Sequence, residues 1–321
     1  MANAPRTASQ AKQHKPAKET PHEPIDFRVE TNGQPLSLPR GLCNFGNTCY
    51  ANAMLEAYLP LTEFWTPTNE APTIDLPLLK SFIEAMSSLT TGKRAFQPYQ
   101  FLAKLQLAIR ERNKDFALNS QQDVCEVLGY FFDILAPSLT ISISKVSFSI
   151  RETRTCPCKA RHVSNLPSRI MAVPIKSSVK DAVREYPKQE HIQSYVCPSC
   201  GSSSGGTQAK SFSNLPDILI VQLSRFVCIK GRCTKISEPV RCDLSISLGG
   251  LDGSTSEYKL LAVINHIGKS MGSGHYTTTV LNRSQNCYYY CDDKKVFGCR
   301  GIDPKNAYVL FYTRAKPVAC Q

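Results

Sequence analysis

The apolar pattern of this chain changes period once, and that change limits the fold more than any composition figure. From residue 41 to about 144 the spacing is helical. Tyr50, Met54, Ala57 and Tyr58 repeat on one face; Leu76 to Leu89 and Phe101 to Arg112 repeat likewise, parted by a turn at 90–93. In the stretch 119–135, Val124, Leu128, Phe131, Phe132 and Leu135 form a buried stripe, and Ser120 is suited to cap its helix with Asp123 three residues on. From Leu139 the pattern alternates. Ile141, Ile143, Val146, Phe148 and Ile150 predict a hairpin, and strands follow at 170–175, 212–213, 219–227, 258–266, 276–281, 287–291 and 307–313. Helices first and strands afterwards predict an α+β fold with two lobes.

The flanks set the limits of that domain. Residues 1–38 are rich in Pro, Lys, Gln, Ala and Thr, with few apolar anchors, and read as a disordered tail. No stretch of about 18 apolar residues is present, so no transmembrane helix is expected. The first twenty residues lack the apolar core of a secretory signal. The 14 cysteines are therefore expected as thiols, metal ligands or catalytic groups rather than a disulfide framework. The net charge of +12 is concentrated in one place. Residues 145–241 hold 16 basic and 6 acidic residues, whereas residues 41–144 hold 7 and 10. The basic segment reads as a solvated face with some attraction for an acidic partner; no nucleic-acid-binding motif accompanies it.

Chemistry is suggested at three places. The stretch Gly41-Leu-Cys-Asn-Phe-Gly-Asn-Thr-Cys49-Tyr starts as a Gly/Asn turn and enters a helix at Cys49. Unpaired N–H groups and the helix dipole at such a position favour a thiolate; a buried structural cysteine is the plainer reading. Far along the chain, Ser270-Met-Gly-Ser-Gly-His275-Tyr is a glycine-rich turn into a strand, and Asp292 and Asp293 follow seventeen residues after the histidine. A strand out and a strand back would set an aspartate beside His275, as in a Cys–His–Asp triad. Alternatively Asp292-Asp-Lys-Lys295 is only a charged hairpin end. His14, His22, His162, His191 and His266 read as structural or exposed. Third, Cys197-Pro-Ser-Cys200 and the upstream Cys156-Pro-Cys158 offer four thiolates for a structural zinc, with His162 as a spare ligand. The Cys-x-Cys spacing is short for a knuckle, and free thiols are the alternative. Cys228, Cys233 and Cys242 read as incidental.

Together these segments resemble the ubiquitin-specific protease family of cysteine deubiquitinases. The matching pieces are Gly41–Asn52, Gln122-Asp123 with Glu126, Leu215-Pro216, Leu223-Ser-Arg-Phe226, Lys235–Val240, Gly274-His-Tyr276, Tyr290-Cys-Asp-Asp293 and Ala307–Tyr312, in the family's order over residues 41–314. The resemblance implies a papain-like thumb–palm–fingers architecture: thumb about 41–140, fingers about 141–240 with zinc at the tips, palm mainly 241–315, and a short tail at 316–321. It implies Cys49 as nucleophile, His275 as the base, Asp292 as the group that orients it, and Asn44 as a donor to the oxyanion. Asp123 and Glu126 would receive the arginines of the ubiquitin tail, with Gln122, Gly274 and Tyr276 also at the substrate. The implied partners are ubiquitin and ubiquitinated proteins, met by a monomeric cytoplasmic or nuclear enzyme without a catalytic cofactor. Preference for a ubiquitin-like modifier and a non-catalytic ubiquitin-binding scaffold are the competing readings.

Overall fold

The computed structural model describes residues 39–61, 77–91, 94–136, 140–229, 232–270, 272–282 and 287–315. The two expected tails and part of the turn at 90–93 lie outside these residues, as do the side chains of Cys228 and Cys233.

Among the described residues the chain begins with helices, the longer ones being α1 (Cys49–Ala57), α2 (Pro77–Thr90), α3 (Tyr99–Arg112) and α4 (Val124–Leu135). Every residue of α1 is buried, so this helix is the pivot around which the others pack. Phe82 of α2, Phe101 of α3 and Phe131 of α4 meet edge to face or tilted, with ring centres 5.0–6.3 Å apart. Tyr58, at the end of α1, joins that cluster and reaches Phe311 at 6.0 Å.

Two local expectations are corrected here. Ser120 does not cap α4. The cap is Asp123, whose Oδ1 accepts from the backbone N–H groups of Cys125 at 2.9 Å and Glu126 at 3.1 Å. Ser and Asp are equally good caps, and residues 121–123 stay outside the helix, so it starts at Val124. The first half of the expected hairpin is instead the helix α5 (Thr140–Val146). Its buried pair, Ile143 and Val146, are three residues apart, a helical spacing that the short isoleucine alternation concealed.

The strands form two principal sheets. β1 (Phe148–Thr155), β2 (Arg161–Ser168), β4 (Glu190–Ile192) and β5 (Gly206–Asn214) make a four-stranded sheet in the order β2-β1-β5-β4. The larger sheet has the order β13-β12-β11-β10-β14-β6-β3, with β9 (Ser245–Gly249) also on β10. Its strands are β3 (Ile170–Val173), β6 (Ile218–Leu223), β10 (Thr255–Ser270), β11 (Ser273–Asn282), β12 (Cys287–Asp292), β13 (Lys295–Cys299) and β14 (Ala307–Arg314). All pairings in it are antiparallel except β3 with β6. On β14, Val309 and Phe311 face the helical core, while Leu310 and Tyr312 face a second core with Val179, Ala182 and Val183 of α6 (Val179–Glu185). Burial on both faces explains why β6 and β14 read as unbroken apolar runs rather than alternating ones.

One charged side chain is wholly enclosed. Arg225, between β6 and β7 (Phe226–Ile229), is 0% exposed. Its guanidinium donates to the backbone carbonyls of Ala307 (2.5 Å), Ile236 (3.0 Å), Glu238 (2.9 Å) and Pro304 (3.0 Å). It thereby ties the segments around Ile236 and Pro304 to the start of β14.

Candidate active site

The loop before α1 is held from both sides. Leu42 bridges to Phe96, and the N–H of Cys43 donates to the Phe96 carbonyl at 2.8 Å. On the other side, the N–H of Leu42 donates to the carbonyl of Asp293 at 2.7 Å. Gly41 lies so close to this turn that a Cβ there would sit 2.4 Å from the Lys294 carbonyl oxygen. Within the loop, Asn44 Oδ1 accepts from the N–H and the hydroxyl of Thr48, both at 3.1 Å, and Gly46 turns the chain with a φ of 103°. Cys49 thus opens the helix at a fixed point, with 3% exposure.

His275 stands on β11, whose Thr278 pairs with Cys291 of β12. That pairing returns the chain so that Asp292 meets the ring: His275 Nε2 and Asp292 Oδ1 are 2.7 Å apart. Cys49 lies beside the same imidazole. The bond to Asp292, with Cys49 beside the ring, holds the His275 proton up to about 10, against the opposing effect of burial. The carboxyl of Asp292 is lowered in turn, chiefly by its bond to His275. At neutral pH the ring is an imidazolium between a carboxylate and the Cys49 sulfur. The structure therefore brings together Cys49, His275 and Asp292 from opposite ends of the chain.

The neighbouring Asp293 does something else. Its carboxylate accepts from Asn44 Nδ2 at 2.9 Å and from Asn52 Nδ2 at 2.8 Å. The amide of Asn44 is thus oriented from both ends, and one of its two N–H bonds remains for another acceptor. Sequence reasoning gave Asp293 no part; its backbone φ of 50°, unusual for a side-chain-bearing residue, marks the sharp turn that aims it.

Gln122, expected at the substrate, instead donates locally to the Ala117 carbonyl at 2.8 Å. Its neighbour Gln121 crosses from the helical lobe to the histidine loop. Gln121 Oε1 accepts from the N–H of Gly274 at 2.8 Å, and its Nε2 donates to the Gly274 carbonyl at 2.7 Å. Gly274 is confined on its other side by His266, whose Nε2 would lie 2.4 Å from a Cβ.

The sequence profile of the ubiquitin carboxyl-terminal hydrolase family matches residues 40–312. This chain belongs to that family. It is 25% identical to the probable ubiquitin carboxyl-terminal hydrolase 4 of Schizosaccharomyces pombe, over 86% of this chain and 59% of that protein. Against ubiquitin carboxyl-terminal hydrolase 36 of Drosophila pseudoobscura pseudoobscura the figures are 23%, 91% and 31%. The chain thus spans less than two thirds of the length of these relatives. Among solved structures, the SAGA Ubp8/Sgf11/Sus1/Sgf73 DUB module bound to ubiquitin aldehyde superposes with a TM-score of 0.70 at 19% identity, covering 86% of this chain and 70% of that one. The fold is that of the family: a helical thumb and antiparallel sheets.

In this hydrolase fold, the other expected substrate residues lie where the helical lobe meets the large sheet. Asp123 Oδ2 accepts from the hydroxyl of Tyr308 at 2.7 Å, while Glu126 is exposed. Beside Asp123, the rings of Phe226, His266, Tyr276 and Tyr308 meet with centres 4.9–6.3 Å apart. Both ring nitrogens of His266 and the hydroxyl of Tyr276 are buried without a hydrogen-bond partner. Burial lowers His266 to about 4, so this ring is neutral where His275 is charged.

The four fingertip cysteines also converge. Cys156 and Cys200 sulfurs are 3.7 Å apart, those of Cys158 and Cys197 3.9 Å, and all four lie within 4.8 Å of one another. A tetrahedron of sulfurs at the usual Zn–S length of about 2.3 Å has edges of about 3.8 Å, so the group fits zinc. The short Cys-x-Cys spacing is accommodated by a turn in which the N–H of Lys159 donates to the Cys156 carbonyl at 2.8 Å and Lys159 takes a φ of 72°. His162 is outside the quartet: its Nε2 lies 3.8 Å from Cys197 Sγ and 3.2 Å from Ser199 Oγ.

Proposed function

We propose that this chain is a thiol-dependent deubiquitinase that cleaves the isopeptide bond after the C-terminal glycine of ubiquitin. The observation that carries this reading is the line Cys49–His275–Asp292, with the imidazolium poised between sulfur and carboxylate. The Cys49 sulfur attacks the isopeptide carbonyl, and the oxygen gains the negative charge. Backbone N–H groups near Cys49 and the remaining N–H of Asn44 stabilise that charge. His275 then gives its proton to the leaving lysine amine as the C–N bond breaks, leaving a thioester on Cys49. Water adds to the thioester, His275 takes its proton, and the ubiquitin carboxylate departs.

The substrate tail would lie between Gln121, Gly274 and the aromatic group around His266. Glu126, exposed at the start of α4, and the unfilled lone pair of Asp123 are placed to receive basic side chains. Gln121, rather than Gln122, is the amide at this groove.

The decisive experiment uses ubiquitin with an electrophilic C-terminus, at neutral pH under reducing conditions. Wild-type protein should form a stoichiometric adduct, and Cys49→Ala none. Absence of adduct on the wild type would remove the enzyme reading, while adducts only with an electrophilic ubiquitin-like modifier would reassign the substrate.

Cys156, Cys158, Cys197 and Cys200 would hold one structural zinc, which supplies tetrahedral cross-linking of the two fingertip turns and no catalytic step. Metal analysis should find about one zinc per chain, and chelation should lower the melting temperature. A folded protein with no metal would refute this assignment.

A further inference from the structure

α1 is enclosed on every side, yet it carries two polar side chains on the face that begins with Cys49. One is Asn52, engaged with Asp293. The other is Glu56, which has no part in the reaction above. It follows Cys49 by seven residues, two turns along and nearly in line with it. Glu56 is 1% exposed, and its Oε1 is buried without a hydrogen-bond partner.

The proton count around Glu56 is constrained. Thr278 of β11 is the hydroxyl facing this part of α1. The single hydroxyl proton of Thr278 is already given to the Ala53 carbonyl, at 3.0 Å. Glu56 Oε1 is left without a donor, and among the described residues no cation forms an ion pair with this carboxyl, so a buried charge here has nothing to offset it. The surrounding charges agree. β12 and the turn after it present Asp292, Asp293 and the Cys291 thiol, and β11 presents His275. On β10 and α4, which also pack against α1, the buried titratable groups are Tyr258, His266 and Cys125. His275 is the one cation among the groups acting on Glu56, and it is already bonded to Asp292. Burial first, and then Asp293, raises the Glu56 carboxyl well above the ordinary range.

We propose that Glu56 is a positioning residue, a neutral acid held beneath the catalytic line whose loss of a proton disables the site from the alkaline side. The inference rests on the reading of Cys49, His275 and Asp292 as the hydrolytic centre. The step is simple: the carboxylic acid and hydroxide become carboxylate and water. The new charge is a third carboxylate around one imidazolium. It opposes a thiolate at Cys49 and repels Asp293, which holds the amide of Asn44.

Glu56→Gln keeps the shape but cannot ionise. Two measurements test the proposal. The first is the melting temperature of both proteins from about pH 5 to pH 9. A carboxyl raised in the folded state stabilises fully below its unfolded value of about 4.3, and that contribution is lost as pH rises through the folded value. The melting temperature of Glu56→Gln should therefore gain on the wild type as pH rises. A difference that is constant or shrinks with pH overturns the proposal, as does a Glu56→Gln protein that fails to fold.

The second measurement is single-turnover reaction with electrophilic ubiquitin. The ratio of its rate on the alkaline limb to that at neutral pH should be about threefold or more higher in Glu56→Gln than in the wild type. Equal ratios overturn the proposal. The melting experiment needs no substrate, so a wild type inert to ubiquitin would sink the enzyme reading and leave this test of the buried proton standing.

Discussion

Replacing Asp292 with alanine is expected to cut turnover of a ubiquitin substrate by about a hundredfold or more, the scale of losing a positioned acid–base partner. The reason is the 2.7 Å contact with His275 Nε2, which both fixes the ring and keeps its proton. Without it the imidazole titrates lower than about 10, so the alkaline limb of the rate profile moves toward neutral pH. The same contact links stability to pH. A histidine raised in the folded state contributes fully below its unfolded value of about 6.5, and the contribution is lost as pH rises through about 10. At the acid end Asp292 is lowered, so the contact is present above about 3.9 and lost as pH falls through its folded value. These are two ends of one interaction. Asp293→Ala should behave differently. It strips two amide donations from Asn44 and Asn52, each worth about 1.5–3 kcal/mol to a charged acceptor. Melting temperature and rate should fall together without a shift of the alkaline limb. A shift of that limb in Asp293→Ala but not in Asp292→Ala would reassign the orienting acid.

Arg225→Leu is expected to unfold the domain. Four backbone carbonyls lose their donor at once in a site with 0% exposure. At about 1–3 kcal/mol for each buried acceptor left unpaired, the loss rivals the whole stability of a typical domain. Arg225→Lys, which retains charge but not the planar fork, should fold with a clearly lowered melting temperature. Circular dichroism melts decide this: a leucine variant that melts within a few degrees of wild type would refute the role given to Arg225.

The lobes were legible because their periods differ over long stretches, and the two-sided burial of β6 and β14 left apolar runs in the sequence. Cys49, His275 and Asp292 were legible because each sits in a distinctive local pattern. What failed was choice between near-equivalent neighbours. Ser120 and Asp123 are both competent caps three residues apart, and the structure uses the second. Gln121 and Gln122 are chemically identical, and only the path of the loop sends the first to Gly274 and the second to Ala117. The seven residues of α5 are too few to separate a helical from an alternating period. Glu56 gave no signal because an acid in an apolar helix looks like an exposed one until every side of that helix is covered.

The turn at Asp293 has a consequence for the order in which this fold is completed. Its bonds to Asn44 and Asn52 join residues 249 and 241 positions apart, and the Gln121–Gly274 clasp joins residues 153 apart. Closing such loops is slow and comes late in folding. During synthesis, the cysteine emerges more than two hundred residues before the groups that orient its loop. A nascent chain therefore carries Cys49 without His275 and Asp292 until β11 and β12 have been made. A chain that stops short of β12 lacks the contacts that join Cys49, Asn44 and Asn52 to the far end of the fold.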